Sequence, residues 1–340
     1  MQMDKRHIEI AIFAHNEEDS IEFLIDDLAR QSLLKQLGIK LRIRILCNGC
    51  TDLTVPIVRD SIAIRPPLVP ITVVDDFKEG GKSRTWNRFI DELPDNSDFI
   101  IFIDGDIRIP DADALLNLLE DLLQSDAVAV TSRPLKDLHK IRRNPLLRAV
   151  ATLIGSVHRD GPICGQLYSV KSEAVRQIRL PVPCLVEDGF LSACIVTSLF
   201  TDQGQPARVK ASSRVSHYFE TPGTLREFFH HDVRLALGVE LNAALYSDLW
   251  AAESIQARVV ILRQFAESSG IDRSIDEHMK HPEKRALIGK KIFSRKLLGN
   301  RGESFPEKTL RFPFRLAHSL YMAQVRNRAR ILFNERRFNW

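Results

Sequence analysis

Asp104-Gly105-Asp106 puts two carboxylates one residue apart, directly after the apolar run Phe99-Ile100-Ile101-Phe102-Ile103. Carboxylates this close repel one another unless a cation lies between them. An oxygen-seeking dication such as Mn2+ or Mg2+ does that and also grips substrate phosphates. A helix cap is the plainer use of such a residue, but Asp111, after Pro110, is better placed to cap the helix that follows. Other polar groups end earlier apolar runs: His15-Asn16-Glu17 and Asn48-Gly49. Cys47-Asn48-Gly49-Cys50 has C-x-x-C spacing, yet no second ligand pair completes a zinc site, and Asn-Gly reads as a turn rather than the helix start of a redox motif. The five cysteines, odd in number and widely spaced, argue against a disulfide framework and for a reducing compartment.

Positioning these groups takes a sheet. Residues 8–14, 42–46, 71–74, 99–103 and 127–131 read as strands, and helical spacing separates them. Helices are expected over 21–37, 54–64, 83–93 and 111–124. Alternating strands and helices imply βαβ units in a doubly wound, mostly parallel sheet, with ligands at the carboxyl ends of the strands. The polar residues above fall at those ends. Beyond residue 136 the pattern changes. Lys140, Arg142, Arg143 and Arg148 border a helical apolar stretch over 146–157, residues 165–170 read as a strand, and the chain from Leu225 is mostly helical.

The composition is that of a globular protein: 340 residues, 44% hydrophobic and 27% charged. No stretch approaches ~20 uncharged apolar residues, and the polar start lacks a signal-peptide pattern. A cytoplasmic protein is expected, peripheral at most to the cytosolic face of a membrane. The net charge of +4 hides an asymmetry, because residues 281–340 carry 15 Lys+Arg against four Asp+Glu. Residues 311–340 read as a basic amphipathic element. Leu316, Leu320, Met322 and Val325 are its apolar positions, Arg326, Arg328 and Arg330 its cations, and Phe338 and Trp340 its aromatic end. Such an element suits an anionic membrane surface, or else packs as a structural helix.

The ordered set Phe13-Ala14-His15-Asn16-Glu17-Glu18, Asn48-Gly49-Cys50-Thr51-Asp52-Leu53-Thr54, Gly81-Lys82 with Asn87, and Asp104-Gly105-Asp106 resembles family 2 glycosyltransferases. Gly165 to Val170, Val186-Glu187-Asp188 and the segment Pro222, Leu225, Arg234, Gly238 continue the likeness, which covers about residues 8–240. It implies a GT-A fold, a Rossmann-like, mostly parallel sheet flanked by helices. It also implies a nucleotide-diphosphate sugar as donor. Residues 1–240 would form the catalytic domain, with a nucleotide-sugar half (1–135) and an acceptor half (136–240). Residues 241–340 would form a helical, basic C-terminal region. Phe13, Cys50, Trp86, His231 and Leu235 depart from the family pattern. His231 in place of Gln, with no membrane helix, points to transfer of one sugar rather than processive synthesis.

The resemblance also carries roles. Ala14, Glu17 and Asn48 match positions lining the base and ribose, and Arg234 matches a diphosphate contact. Asp106 is the first metal ligand expected, with Asp104 sharing the metal or holding the ribose. His217 is a candidate third ligand, or else a packed core histidine. Lys82 is placed to reach the nucleotide. The acceptor hydroxyl, on a saccharide or a lipid-linked sugar, needs a general base, since its pKa lies far above 7. Asp188 is the candidate, with Glu187 beside it, for an inverting displacement. Two other classes stay open, a nucleotidyltransferase and a non-catalytic nucleotide-sugar-binding protein. No glycine follows the first strand as a phosphate loop requires, and retained buried acids disfavour a mere scaffold. No nucleic acid is expected as a partner.

Overall fold

The computed structural model describes residues 5–64, 72–137, 160–267, 269–281 and 305–338, with backbone alone over 305–318. Its strands are β1 (His7–Ala14), β2 (Lys40–Asn48), β3 (Thr72–Phe77), β4 (Phe99–Asp104), β5 (Ile107–Arg108), β6 (Ala129–Asp137), β7 (Leu167–Lys171) and β8 (Val209–Glu220). Its α-helices are α1 (Ile21–Ala29), α2 (Thr54–Ile64), α3 (Lys82–Asp91), α4 (Ala114–Leu123), α5 (Ser172–Val175), α6 (Glu187–Val196), α7 (Leu225–Ala251), α8 (Ile255–Phe265), α9 (Asp272–Met279) and α10 (Phe305–Asn334).

The strands join one sheet in the order β3-β2-β1-β4-β7-β6-β8-β5. The first four in that order run parallel, as do β6 and β8. Strand β7 runs against both β4 and β6, and the short β5 runs against β8. Central strand β4 is buried along its apolar length, as expected of a strand covered on both faces. Its alternate side chains feed two cores. Ile101 and Ile103 join Ile10 and Ile45 beneath α1, α2 and α4. Ile100 and Phe102 join Phe13, Trp86 and Phe89 on the opposite face, a core that continues into α6 through α10. The stacking of Phe102 on Tyr168, with centroids 4.9 Å apart, ties β4 to β7 in that layer.

Several sequence expectations need correction. The helix expected over 21–37 stops at Ala29, and a 3-10 turn follows at Ser32–Lys35. Buried Gln31 sits between them in extended geometry, donating to the Asp111 carbonyl at 2.8 Å and accepting from the Leu115 N–H at 3.1 Å. These bonds to the start of α4 need an extended residue, which breaks the helical run. Asp111 does not cap α4. The N-cap is Asp113, and the Asp111 carboxylate accepts the Asp113 N–H at 3.0 Å.

At the C-terminal end, α7 runs unbroken through residue 240, and Leu262, Phe265, Ile275, Val325 and Phe333 enter the same core as Phe102. Met322, Val325 and Phe338 are 3%, 0% and 6% exposed, so the apolar positions expected to meet lipid are packed inside the protein. Tyr321 fixes the arrangement by donating to Asp232 of α7 at 2.8 Å. Leu320 remains 60% exposed. The basic apolar stretch over 136–157 falls almost wholly, and Trp340 entirely, outside the described residues. No described helix is long and apolar enough to cross a membrane.

Candidate active site

The carboxyl ends of β1, β2 and β4 open onto a cavity of about 800 Å³, with Glu17, Lys82, Asp104, Asp106, Glu187 and Arg234 in its walls. Strand β4 delivers Asp104, whose N–H donates to the Gln166 carbonyl at 2.9 Å. Helix α3 begins at Lys82, whose ammonium lies 2.6 Å from Asp104 Oδ1 and 2.8 Å from Oδ2. The same ammonium reaches Glu187 Oε1 and the Gly165 carbonyl, each at 3.2 Å. Glu187 and Asp188 stand at the first turn of α6, where the helix dipole favours negative charge. Arg234 enters from α7, and its Nε is buried without a hydrogen-bond partner.

The acids are not equivalent. Burial, then the nearby Asp106 carboxylate, pushes Glu17 up to about 7, although Ser20 donates to it at 2.9 Å. Burial also drives Asp104 up to about 7, with Asp106 and Glu187 adding to it and Lys82 opposing. Asp106 is likewise raised, by burial first, and its Oδ1 is buried with no hydrogen-bond partner. Excess negative charge with an unsatisfied carboxylate oxygen is what an oxygen-ligated dication relieves. Asp106, with Asp104 beside it, therefore fits Mn2+ or Mg2+. Among the described residues no set of three or more His, Cys, Asp or Glu is grouped for a metal.

The second acidic pair is tuned differently. Burial would raise Glu187, but Lys82 and then Arg234 outweigh it and hold the group below the usual carboxylate range. Asp188 is pushed up to about 6, by burial first and by the Glu187 charge second. Lys82 itself stays charged: burial works against the ammonium, but Asp104 and Glu187 more than offset it.

Other expected site residues are placed elsewhere. His217 is fully buried and its ring is used on both sides, Nδ1 at 2.7 Å from Ser132 Oγ and Nε2 at 3.1 Å from Gln166 Oε1. Burial lowers its pKa to about 4, so it is a neutral packed histidine and does not line the cavity. Asn48 lies at the cavity wall, but its side chain is already bonded. It donates to the Ala14 carbonyl at 2.9 Å and accepts the Gly81 N–H at 3.0 Å, tying β1, β2 and the start of α3 together. Ala14, fully buried, serves through that carbonyl and is not part of the wall. Asp188 follows Glu187 on α6 but does not line the cavity; it is partly accessible, with Oδ1 accepting the Gly189 N–H at 2.7 Å.

Sequence reasoning gave no role to several residues that build the site. A Cβ on Gly165 would lie 2.9 Å from Asp188 Cβ, and one on Gly238 only 2.5 Å from Val186 Cγ2. Both glycines permit the close approach that seats the Glu187-Asp188 turn. Asn242 anchors the same turn by donating to the Val186 carbonyl at 2.9 Å. His15 also lines the cavity, with Nδ1 2.6 Å from the Asn48 carbonyl oxygen. Ile271, Arg336 and Phe338 bring the C-terminal elements to the far wall. Only the proximity of the motifs to one another in space exposes these roles.

A curled, mostly parallel sheet whose strand ends carry a D-x-D turn, a neighbouring lysine and an acidic helix start is the layout of a GT-A glycosyltransferase. The chain belongs to glycosyl transferase family 2, whose sequence pattern matches residues 9–178, half its length. The family favours glycosyl transfer over the nucleotidyl transfer that the sequence had left open. The structure is similar to that of the mannosyltransferase PcManGT from Pyrobaculum calidifontis in complex with GDP-Man and Mn2+. That match has 17% identity and a TM-score of 0.59, over 98% of this chain and 88% of that one. S. aureus TarS 1-349 matches with 12% identity and a TM-score of 0.46 over 94% and 80% of the two chains. M. tuberculosis glucosyl-3-phosphoglycerate synthase matches with 20% identity and a TM-score of 0.45 over 69% and 78%. No curated protein matches the sequence.

Proposed function

We propose that this protein transfers one sugar from a nucleoside diphosphate sugar to an acceptor hydroxyl, with inversion, and that Asp188 is the general base. The observation that carries the reading is the single cavity in which Glu17, Asp104 and Asp106 face Lys82 and Arg234. A departing nucleoside diphosphate gains negative charge, and preorganised cations stabilise it. Arg234, whose Nε lacks a partner, is the side chain available for that charge. A dication held by Asp106 and Asp104 would supply further neutralisation of the diphosphate. Glu17 and the backbone around Ala14 and Asn48 would line the base and ribose.

Between the two acids on α6, basicity selects Asp188. A base works best with a pKa near the working pH. Asp188 sits near about 6, whereas Glu187 is paired with Lys82 and held low. Glu187 holds Lys82 in the nucleotide-free protein, and Asp188 takes the proton from the acceptor hydroxyl. The acceptor would be a saccharide or a lipid-linked sugar. Any hold on an anionic membrane would fall to exposed Arg326, Arg328 and Arg330, since the apolar face of α10 is packed; it should vanish with salt in vesicle co-sedimentation.

The test is a thermal-shift and hydrolysis panel of nucleoside diphosphate sugars, GDP-mannose among the first, with and without Mn2+. GDP-mannose leads because the similar mannosyltransferase was solved with GDP-Man and Mn2+. A metal-dependent shift and slow release of sugar are expected with at least one donor. No response to any donor in Mn2+ would overturn the reading.

A further inference from the structure

Lys82 is more than a cation waiting for a nucleotide. Its ammonium lies within 2.8 Å of both Asp104 oxygens and within 3.2 Å of Glu187 Oε1 and the Gly165 carbonyl oxygen. Its hydrogen bonds go to Asp104 Oδ2 and the Gly165 carbonyl, while Asp104 Oδ1, which accepts no hydrogen bond, and Glu187 Oε1 are held as ion-pair contacts, so the ammonium is the cation that now serves Asp104. A dication arriving alone would find Asp106 available, through its unpartnered buried Oδ1. It would find Asp104 already neutralised, and a positive charge standing where it would have to bind.

We propose that Lys82 is an exchangeable stand-in for the metal on Asp104, so that dication and nucleoside diphosphate enter as a pair. The exchange needs another anion for Lys82 to move to. The diphosphate provides one, and Lys82 has a route toward it: the side chain is 27% accessible and lines the cavity, and beside it the space next to Gly81 Cα is open. Once Lys82 swings to the phosphates, the Asp104 carboxylate is released from its ion pair and can join Asp106 in holding the dication. Lys82 also leaves Glu187, so arrival of the donor changes the charge next to Asp188 before any acceptor binds. No bond is made or broken in this step; one ion pair replaces another. Lys82 thereby acts as a positioning residue that orders binding, a role a passive structural ion pair would not have.

This inference rests on the proposed function only in requiring that a dication and a nucleoside diphosphate share the cleft. The test uses the full chain and reads metal binding rather than turnover: MnCl2 is titrated into nucleotide-free protein by calorimetry, with free Mn2+ followed by electron paramagnetic resonance. Wild type should bind Mn2+ alone weakly. Lys82→Met, which keeps the stem and removes the charge, should bind it at least tenfold tighter. Lys82→Arg, which keeps the charge, should stay as weak as wild type and controls for damage to the fold. Equal or weaker Mn2+ binding by Lys82→Met would overturn the exchange, as would an Arg variant that binds as tightly as the Met variant. GDP and UDP titrated into wild type with Mn2+ present separate this from the reading beneath it. If neither binds, the glycosyltransferase proposal fails; if one binds while Lys82→Met leaves Mn2+ affinity unchanged, only the exchange fails.

Discussion

Two acidic pairs of similar composition and opposite character stand at the cleft, with Asp104, Asp106 and Glu187 in its wall and Asp188 next to Glu187 but outside the wall. Asp104 and Asp106 end a central strand, face one another and Glu17, and are all pushed upward, Asp104 to about 7. Glu187 and Asp188 open a helix, and there the members split, the first lowered by Lys82 and the second raised to about 6. The strand-end pair has a shortage of positive charge, which suits a dication. In the helix-start pair a lysine satisfies one acid and leaves the other near neutrality, which suits proton transfer. Lys82 touches both pairs, so the division of labour runs through one ammonium.

The largest effect that would test this division lies on Asp188. Asp188→Asn keeps shape but cannot take a proton, so transfer should fall by roughly 10²–10⁴-fold while donor affinity stays near wild type. Transfer assays beside calorimetric donor titration check this. A mutant with near-normal transfer would hand the base role to Glu187 and erase the distinction between the pairs. The pH profile sharpens the same point. Because Asp188 must be ionised to act, the rate should decline as pH falls through about 6 and level off above 7. That acid limb should be absent from the residual rate of Asp188→Asn.

A smaller effect, of the opposite kind, is expected at Asp106. Asp106→Asn should weaken Mn2+-dependent donor binding by at least roughly 10–100-fold, the loss seen when only the outer partners of a metal's ligands are disturbed. Saturating donor should restore part of the rate, unlike at Asp188. Donor affinity that is the same in the mutant and in wild type with chelator would remove Asp106 from the metal site.

How much of this was legible beforehand depends on the range of the interactions involved. The apolar run before Asp104 announced a buried strand and put its acids at a strand end, and the helix at Thr54–Ile64 agrees with the expected bounds because its determinants are local. The break after Ala29 was hidden, since Gln31 is held by partners near residues 111 and 115. A histidine can ligate metal or pack, and only the bonds to Ser132 and Gln166 decide for His217. The bonds that occupy the Asn48 amide were hidden too, because they come from β1 and the start of α3, distant in sequence. The amphipathic pattern of α10 suits lipid and protein surfaces equally, and only the position of α7 shows which one it covers. Gly165 and Gly238 look like any loop or helix glycine until Asp188 and Val186 are seen against them.

Gly165 supplies the next test, smaller again. Gly165→Ala puts a methyl 2.9 Å from Asp188 Cβ, so Asp188 or the β7 approach must shift. Overpacking of this kind costs about 1–3 kcal/mol. The loss should appear mainly in transfer rate, because the strand-end pair is not displaced. Chemical denaturation and kcat measured together separate a general loss of stability from a local one. A mutant that loses stability yet keeps a normal kcat would show that Asp188 need not be held where it is.

The smallest effect concerns stability of the metal-free protein, and its sign follows from the strand-end pair. Glu17 and Asp104 have folded values near about 7, above the ordinary carboxylate values of 4.5 and 3.8. Between those limits the folded state binds more protons than the unfolded state, so its stability declines as pH rises through that window. Glu187, with its lowered value, works in the other direction at lower pH, so the decline should be clearest from about pH 5 to 7. Glu17→Gln removes one of the raised groups without removing its bulk and should flatten the slope. Urea unfolding at several pH values, in chelator, measures the slopes. Mn2+ added with a nucleoside diphosphate should flatten the wild-type slope as well, since the dication replaces the protons that the strand-end acids otherwise retain. If the slope persists unchanged in Glu17→Gln and in the metal-nucleotide complex, burial and neighbouring charge do not raise the strand-end acids, and the contrast between the two pairs loses its electrostatic basis.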